Sequence, residues 1–101
     1  MPLRSTTGHE SVTVADTAIG FDATAANNHG VRPAAAVITV ETASIRYTVD
    51  GTTPTTTVGH LAEPGDVIYI TDMAQCSRFL AIRETGVSAT IKVTRAEGWI
   101  A

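Results

Sequence analysis

Cysteine is nearly absent from this chain. Cys76 stands alone, so no intrachain disulfide can form. Set between Gln75 and Ser77, it has neither a second ligand at zinc spacing nor a neighbouring base. Its expected role is a small buried apolar residue. Basic residues are few as well. Seven Lys and Arg are scattered singly from Arg4 to Arg95 against ten Asp and Glu, giving a formal charge of −3. A nucleic-acid binder needs a Lys/Arg face to displace counterions from phosphates, so no nucleic-acid partner is expected. Long apolar runs are also missing. The longest stretch without charge, Gly51 to Ala62, is Thr-rich and contains Pro54, so no membrane span is expected. Met1-Pro2-Leu3-Arg4 lacks the apolar centre of a secretory signal. Together these features fit a protein made and folded in a reducing cytosol.

Aromatic residues make up only 5% of a chain that is 44% hydrophobic. Ala, Val, Ile and Thr fill the difference, while Leu, Lys and Glu are scarce. β-Branched side chains are stiff at χ1 and suit a pleated surface, so the composition leans to strand. With 101 residues there is room for one core, and a domain of that size has a thin stability margin and gains from association.

Along the chain, residues 1–10 are polar and aperiodic and read as an extended N-terminal arm, followed by a single β domain over residues 11–101. The arm is either a frayed end or a docking element. Ser11–Val14 and Thr17–Phe21 are short alternating segments. Asp22–Gly30 is a loop, with Ala23–Ala26 offering one helical turn. Ala35–Glu41 is apolar on both faces, as a central or interface strand would be. In Ile45–Val49 the alternation is clean, with Ile45, Tyr47 and Val49 on one face. Asp50–Thr55 is a turn, Thr56–Leu61 a short edge strand, and Ala62–Asp66 a second turn. Val67–Thr71 is nearly all apolar, so both its faces are expected to be covered. Asp72–Arg78 reads as a loop. Phe79–Arg83 and Ser88–Thr94 read as a terminal hairpin, and Arg95–Ala101 as a tail carrying the only tryptophan. About seven short strands with frequent turns predict an all-β antiparallel sandwich or barrel. The expected core is Ile45, Tyr47, Val49, Ile68, Ile70, Leu80, Ile82, Ile91 and Val93.

No set of residues points to catalysis, and no cofactor, metal or catalytic residue is expected. His9, His29 and His60 fall in separate segments without ligand spacing and read as solvent-facing; in a trimer, one His per subunit would be able to meet on the axis. There is no Gly-x-Ser-x-Gly elbow. Asp50, Asp66, Asp72 and Glu63 sit in turns, where Asp commonly bonds nearby backbone instead of acting as an acid or base. What remains is surface. Trp99-Ile100 is costly to expose, so it either folds back on its own domain or packs on a neighbour. Pro2, Leu3, Arg4, Trp99 and Ile100 are therefore the candidate partner-binding residues.

Two resemblances follow. Ile45-Arg46-Tyr47-Thr48-Val49-Asp50-Gly51-Thr52-Thr53-Pro54-Thr55 resembles a strand-and-turn signature of small Ig-like modules attached to chitin- and other glycan-degrading enzymes. A broader likeness covers about 60 of the 101 residues, from Ala35 to Thr94. The succession Val37-Ile38-Thr39-Val40-Glu41, Ile45-Arg46-Tyr47, Asp50-Gly51-Thr52, Pro54-Thr55, Gly59-His60, Gly65-Asp66 and Phe79-Leu80-Ala81-Ile82-Arg83 is similar to small structural proteins of tailed bacteriophages. Several of these are capsid decoration (cement) proteins. That resemblance implies a virion structural protein, homo-oligomeric as a trimer, located on the capsid surface, made in the host cytoplasm and bound to the major capsid protein. The alternatives are a head–tail, tail or fibre component and a carbohydrate-binding or adhesion module.

Overall fold

The longest alternation in the chain sets Ala89, Ile91 and Val93 against Thr90, Lys92 and Thr94, and it builds the central strand. The computed structural model describes Leu3–Ile100. Its strands are β1 (Leu3–Val14), β2 (Ala35–Glu41), β3 (Ile45–Thr48), β4 (His60–Ala62), β5 (Val67–Ile70), β6 (Leu80–Arg83) and β7 (Ala89–Trp99). A short helix, α1 (Met73–Arg78), precedes β6, and Ala25–Asn27 forms one 3-10 turn. All strand pairs are antiparallel. One sheet has the order β1-β7-β2-β5 and the other β4-β3-β6, the two layers of an all-β sandwich.

Register fixes the core. Ile38 of β2 lies between Val93 of β7 and Ile68 of β5, and Val40 lies opposite Ile91. Opposite residues share a face, so these side chains form one layer, and Val12 and Val14 of β1 extend it beside Ile91 and Ala89. Ile45 and Ala81 of the smaller sheet complete the core, with Cys76 of α1 and Phe79 at its C-terminal end. Of the expected core, Ile45, Ile70, Ile91 and Val93 are fully buried, Ile68 nearly so, and Tyr47 and Val49 pack at its margin. Leu80 and Ile82 do not belong to it. β6 pairs with β3 so that Ala81 lies opposite Tyr47 and Ile82 opposite Arg46, which turns Ala81 inward and leaves Leu80 and Ile82 half-buried outside.

Other sequence expectations also change. The boundary expected after Glu10 falls inside β1, because residues 3–10 continue the strand against β7; residues 1 and 2 of the arm lie outside the described residues. The expected tail is likewise strand as far as Trp99. The expected terminal hairpin is a crossover, since β6 belongs to the smaller sheet and β7 to the larger. Asp72–Arg78 is a capped helix, not a loop. The Asp72 carboxylate accepts from the Gln75 N–H at 2.8 Å, while Gln75 Oε1 accepts from the N–H of Thr71 at 3.1 Å. This reciprocal arrangement closely parallels a capping box.

One polar cluster interrupts the apolar interior. Ala89, Ile91, Val93 and Arg95 alternate on the inner face of β7, so Arg95 points inward and is only 4% exposed. Its Nη1 donates to Glu10 Oε1 at 2.8 Å and to the Asp22 carbonyl at 2.6 Å. Gly8, opposite Arg95, leaves room for the guanidinium, because a Cβ there would lie 2.4 Å from Nη2. Between Thr6 and Gly8 the register shifts, leaving Thr7 as an extra residue in β1. Thr7 is buried, and its hydroxyl donates to Asn28 Oδ1 at 2.9 Å. Asn28 in turn donates to the Thr24 carbonyl at 2.6 Å. Loop 22–30 is thereby pinned to the end of the larger sheet.

The register predicts a contrast between two isoleucines. Ile91→Ala should cost about 2–5 kcal/mol, because a fully buried side chain leaves a cavity between the sheets. Ile82→Ala should cost clearly less. Urea unfolding of both variants measures the difference, and equal losses would contradict the assigned facing of β6.

Candidate interaction surface

Antiparallel pairing of the first and last strands brings the two ends of the chain together. Leu3 lies opposite Trp99 and Arg4 opposite Gly98. The Arg4 side chain runs alongside Gly98, where a Cβ would come within 3.2 Å of Nη2. The Trp99 indole folds back on its own domain. Its Nε1 donates to the Ile70 carbonyl at 3.0 Å, and its ring lies 5.8 Å from that of Tyr69, tilted by 56°. Ile100 is 48% exposed beside it. Four of the five candidate partner-binding residues, Leu3, Arg4, Trp99 and Ile100, thus converge on one corner. Pro2 lies outside the described residues.

Sequence reasoning missed Val67 and Tyr69. They share the outer face of β5 and are 43% and 60% exposed. Within the chain only one face of this strand is covered, because the smaller sheet packs on the inner side alone. The strand's inner residues Ile68 and Ile70 meet the core, and nothing among the described residues covers the outer face. The signal was present as a run apolar at every position in a chain too small to cover two faces. Together with Trp99 and Ile100, these side chains make the corner largely apolar.

The aspartates of the turns are held in local hydrogen bonds, and the cysteine is buried. Asp50 accepts from the Thr52 N–H at 3.0 Å, and hydrogen bonding from Thr52 holds its carboxyl below the usual range. Asp66 accepts from the Glu63 N–H at 2.8 Å. Burial, reinforced by the Asp72 carboxylate, pushes the Cys76 thiol up to about 12, which keeps it protonated and unreactive. His9, His29 and His60 are all exposed and lie on β1, a loop and β4 respectively. No group of His, Cys, Asp and Glu among the described residues is arranged to hold a metal ion.

Asp22, beside the Arg95 cluster, is the carboxylate most strongly shifted. Hydrogen bonds from the Thr24 hydroxyl and N–H, then from Asn27, lower its pKa to about 2, with a smaller contribution from Arg95. A depressed native pKa adds stability above the unfolded value near 3.8, and that stability is lost as pH falls toward 2. Urea midpoints of the intact chain should therefore drop between about pH 4 and pH 2, and Asp22→Asn should show a smaller drop across that window. Parallel pH profiles would contradict the assignment of this carboxylate.

No protein-family model, curated protein or solved structure matches this chain.

Proposed function

We propose that the chain is a structural protein of a virion, a capsid decoration (cement) protein that binds between major capsid protein subunits and stabilises the head. The observation that carries this reading is the corner where Leu3, Arg4, Trp99 and Ile100 meet beside Tyr69. A contiguous exposed apolar patch with polar neighbours marks an interaction site. The likeness of Ala35–Thr94 to small phage structural proteins supplies the identity of the partner. On a repeating shell, a modest corner contact is sufficient for each copy when neighbouring copies or contacts act together.

A carbohydrate-binding module is the weaker reading. Sugar rings stack on open aromatic faces, whereas the Tyr69 and Trp99 planes meet at 56° and Trp99 is half-buried. Tyr47, Phe21 and Phe79 pack with one another at or beside the core and offer no platform.

The test uses empty shells assembled from the major capsid protein encoded nearest to this chain. The intact protein should co-sediment with them and raise their heat resistance. Arg4→Glu combined with Ile100→Ser should bind at least about tenfold more weakly, a loss of about 1.4 kcal/mol. Leu61→Ser, on the other sheet, should bind as the intact chain does. Failure of the intact chain to co-sediment contradicts the proposal.

A further inference from the structure

An open sheet edge pairs readily with another strand unless charge, proline, a bulge or a covering segment prevents it. The four edges of this sandwich differ in that respect. β1 carries Arg4, His9 and Glu10 and is bulged at Thr7. β6 is covered: Ile19 exchanges two backbone hydrogen bonds with Ala81, at 2.9 and 2.8 Å, and the Ala15 carbonyl accepts from Arg83 at 2.9 Å. β4 is three residues long and is soon followed by Pro64. β5 has none of these protections. Val67–Ile70 is uncharged and regular, and among the described residues it pairs only with β2.

The backbone groups left open can be identified. In an antiparallel ladder, alternate residues of a strand bond to the same neighbour. The Val40 N–H donates to the Asp66 carbonyl at 3.1 Å, so Ile68 and Ile70 also direct their backbone groups at β2. Val67 and Tyr69 direct theirs at the open side. Thr71, next in that series, is already served, because its N–H donates to Gln75 Oε1 at 3.1 Å.

We propose that β5 is a self-association edge, where β5 of a second copy pairs antiparallel about a twofold axis through Ile68. This arrangement sets Val67 opposite the second copy's Tyr69 and Tyr69 opposite its Val67. The open residues lie two apart, so this one axis brings each onto the other and satisfies both N–H and both C=O groups of each strand. Inner faces stay inner, and the two four-stranded sheets continue as one. Each facing pair joins a β-branched and an aromatic side chain, a favourable cross-strand combination. No like charges face each other, since Asp66 falls opposite the second copy's Ile70. The pairing brings the two most exposed apolar residues of the strand alongside those of the second copy, which removes part of their surface from water. It does not rest on the capsid reading, and it makes the free protein a dimer in place of the trimer that the resemblance implies.

Sedimentation equilibrium of the intact chain, without shells, tests this over about 1 µM to 1 mM. The expected result is a reversible monomer–dimer equilibrium. Tyr69→Lys should weaken it at least about tenfold. Val67→Pro should do the same, because it removes an open-edge N–H at the first residue of a strand, where proline is tolerated. Thr13→Lys, on β1, should leave it unchanged. Circular dichroism and Trp99 fluorescence establish that each variant is folded, and Val67→Pro decides the matter if Tyr69→Lys is not. A monomer throughout the range, a trimer, or a dimer that survives the folded edge variants overturns the proposal.

Discussion

An arginine that points into the sandwich is the constraint around which the rest of this chain is arranged. Arg95 continues the inward series Ala89, Ile91, Val93, and a guanidinium in that position is tolerable only with acceptors close by. Glu10 supplies a carboxylate from the neighbouring strand, and the Asp22 carbonyl supplies a second acceptor from the loop beyond. Gly8 keeps the space open. The bulge next to it turns Thr7 inward to hold Asn28, so the loop carrying Asp22 stays in place. Only the Arg95 end of the pair is buried, 5% exposed against 28% for Glu10, so losing Glu10 would leave a buried guanidinium with the Asp22 carbonyl as its one remaining acceptor. The cluster therefore specifies one arrangement of β1, β7 and loop 22–30.

That arrangement explains which parts of the fold were legible from residues alone. Segments whose inner faces meet apolar neighbours declare themselves: Ala35–Glu41 as an apolar run and Ile45–Val49 by alternation emerge close to their observed limits, and the alternation of Ser88–Thr94 marks the first half of β7. Residues 3–10 and 95–99 do not, because their inner positions carry Gly8, Glu10 and Arg95, and a strand that buries a salt bridge shows no hydrophobic period. The helix at Met73–Arg78 is too short for a 3.6-residue period, and only its Asp72 and Gln75 caps betray it. The facing of β6 was read the wrong way round, with Leu80 and Ile82 inward, because Phe79-Leu80-Ala81-Ile82 is apolar at every position; the register against β3, a long-range property, puts Ala81 inward instead. The pairing of Leu3 with Trp99 is the same kind of fact, since only the topology brings together residues from opposite ends of the chain.

The surfaces follow from the same layout. With β7 and β2 in the middle, the larger sheet must expose β1 and β5 as edges, and these are handled in opposite ways. The β1 edge is broken by charge and a bulge, whereas β5 keeps a regular apolar edge and an uncovered outer face. The corner formed by the chain ends lies next to that face through the contact of Trp99 with Tyr69. Val67, Tyr69 and Ile100 thus lie close together on the larger sheet, although Val87, Val58 and Leu61 are exposed elsewhere, and the turns hold Asp50, Asp66 and Asp72 in local hydrogen bonds.

The central claim is that residues 3–10 are an integral part of a strand of the sandwich, locked by Arg95, and not an appended arm. Amide hydrogen exchange of the intact chain, followed residue by residue, measures this directly. On this account, the β1 amides that face β7 are protected across the bulge, on both sides of Thr7, and those from Gly8 to Val14 exchange as slowly as their partners in β7. Exchange of residues 3–10 at the rate of an unstructured chain, with protection beginning only at Ser11, would contradict it.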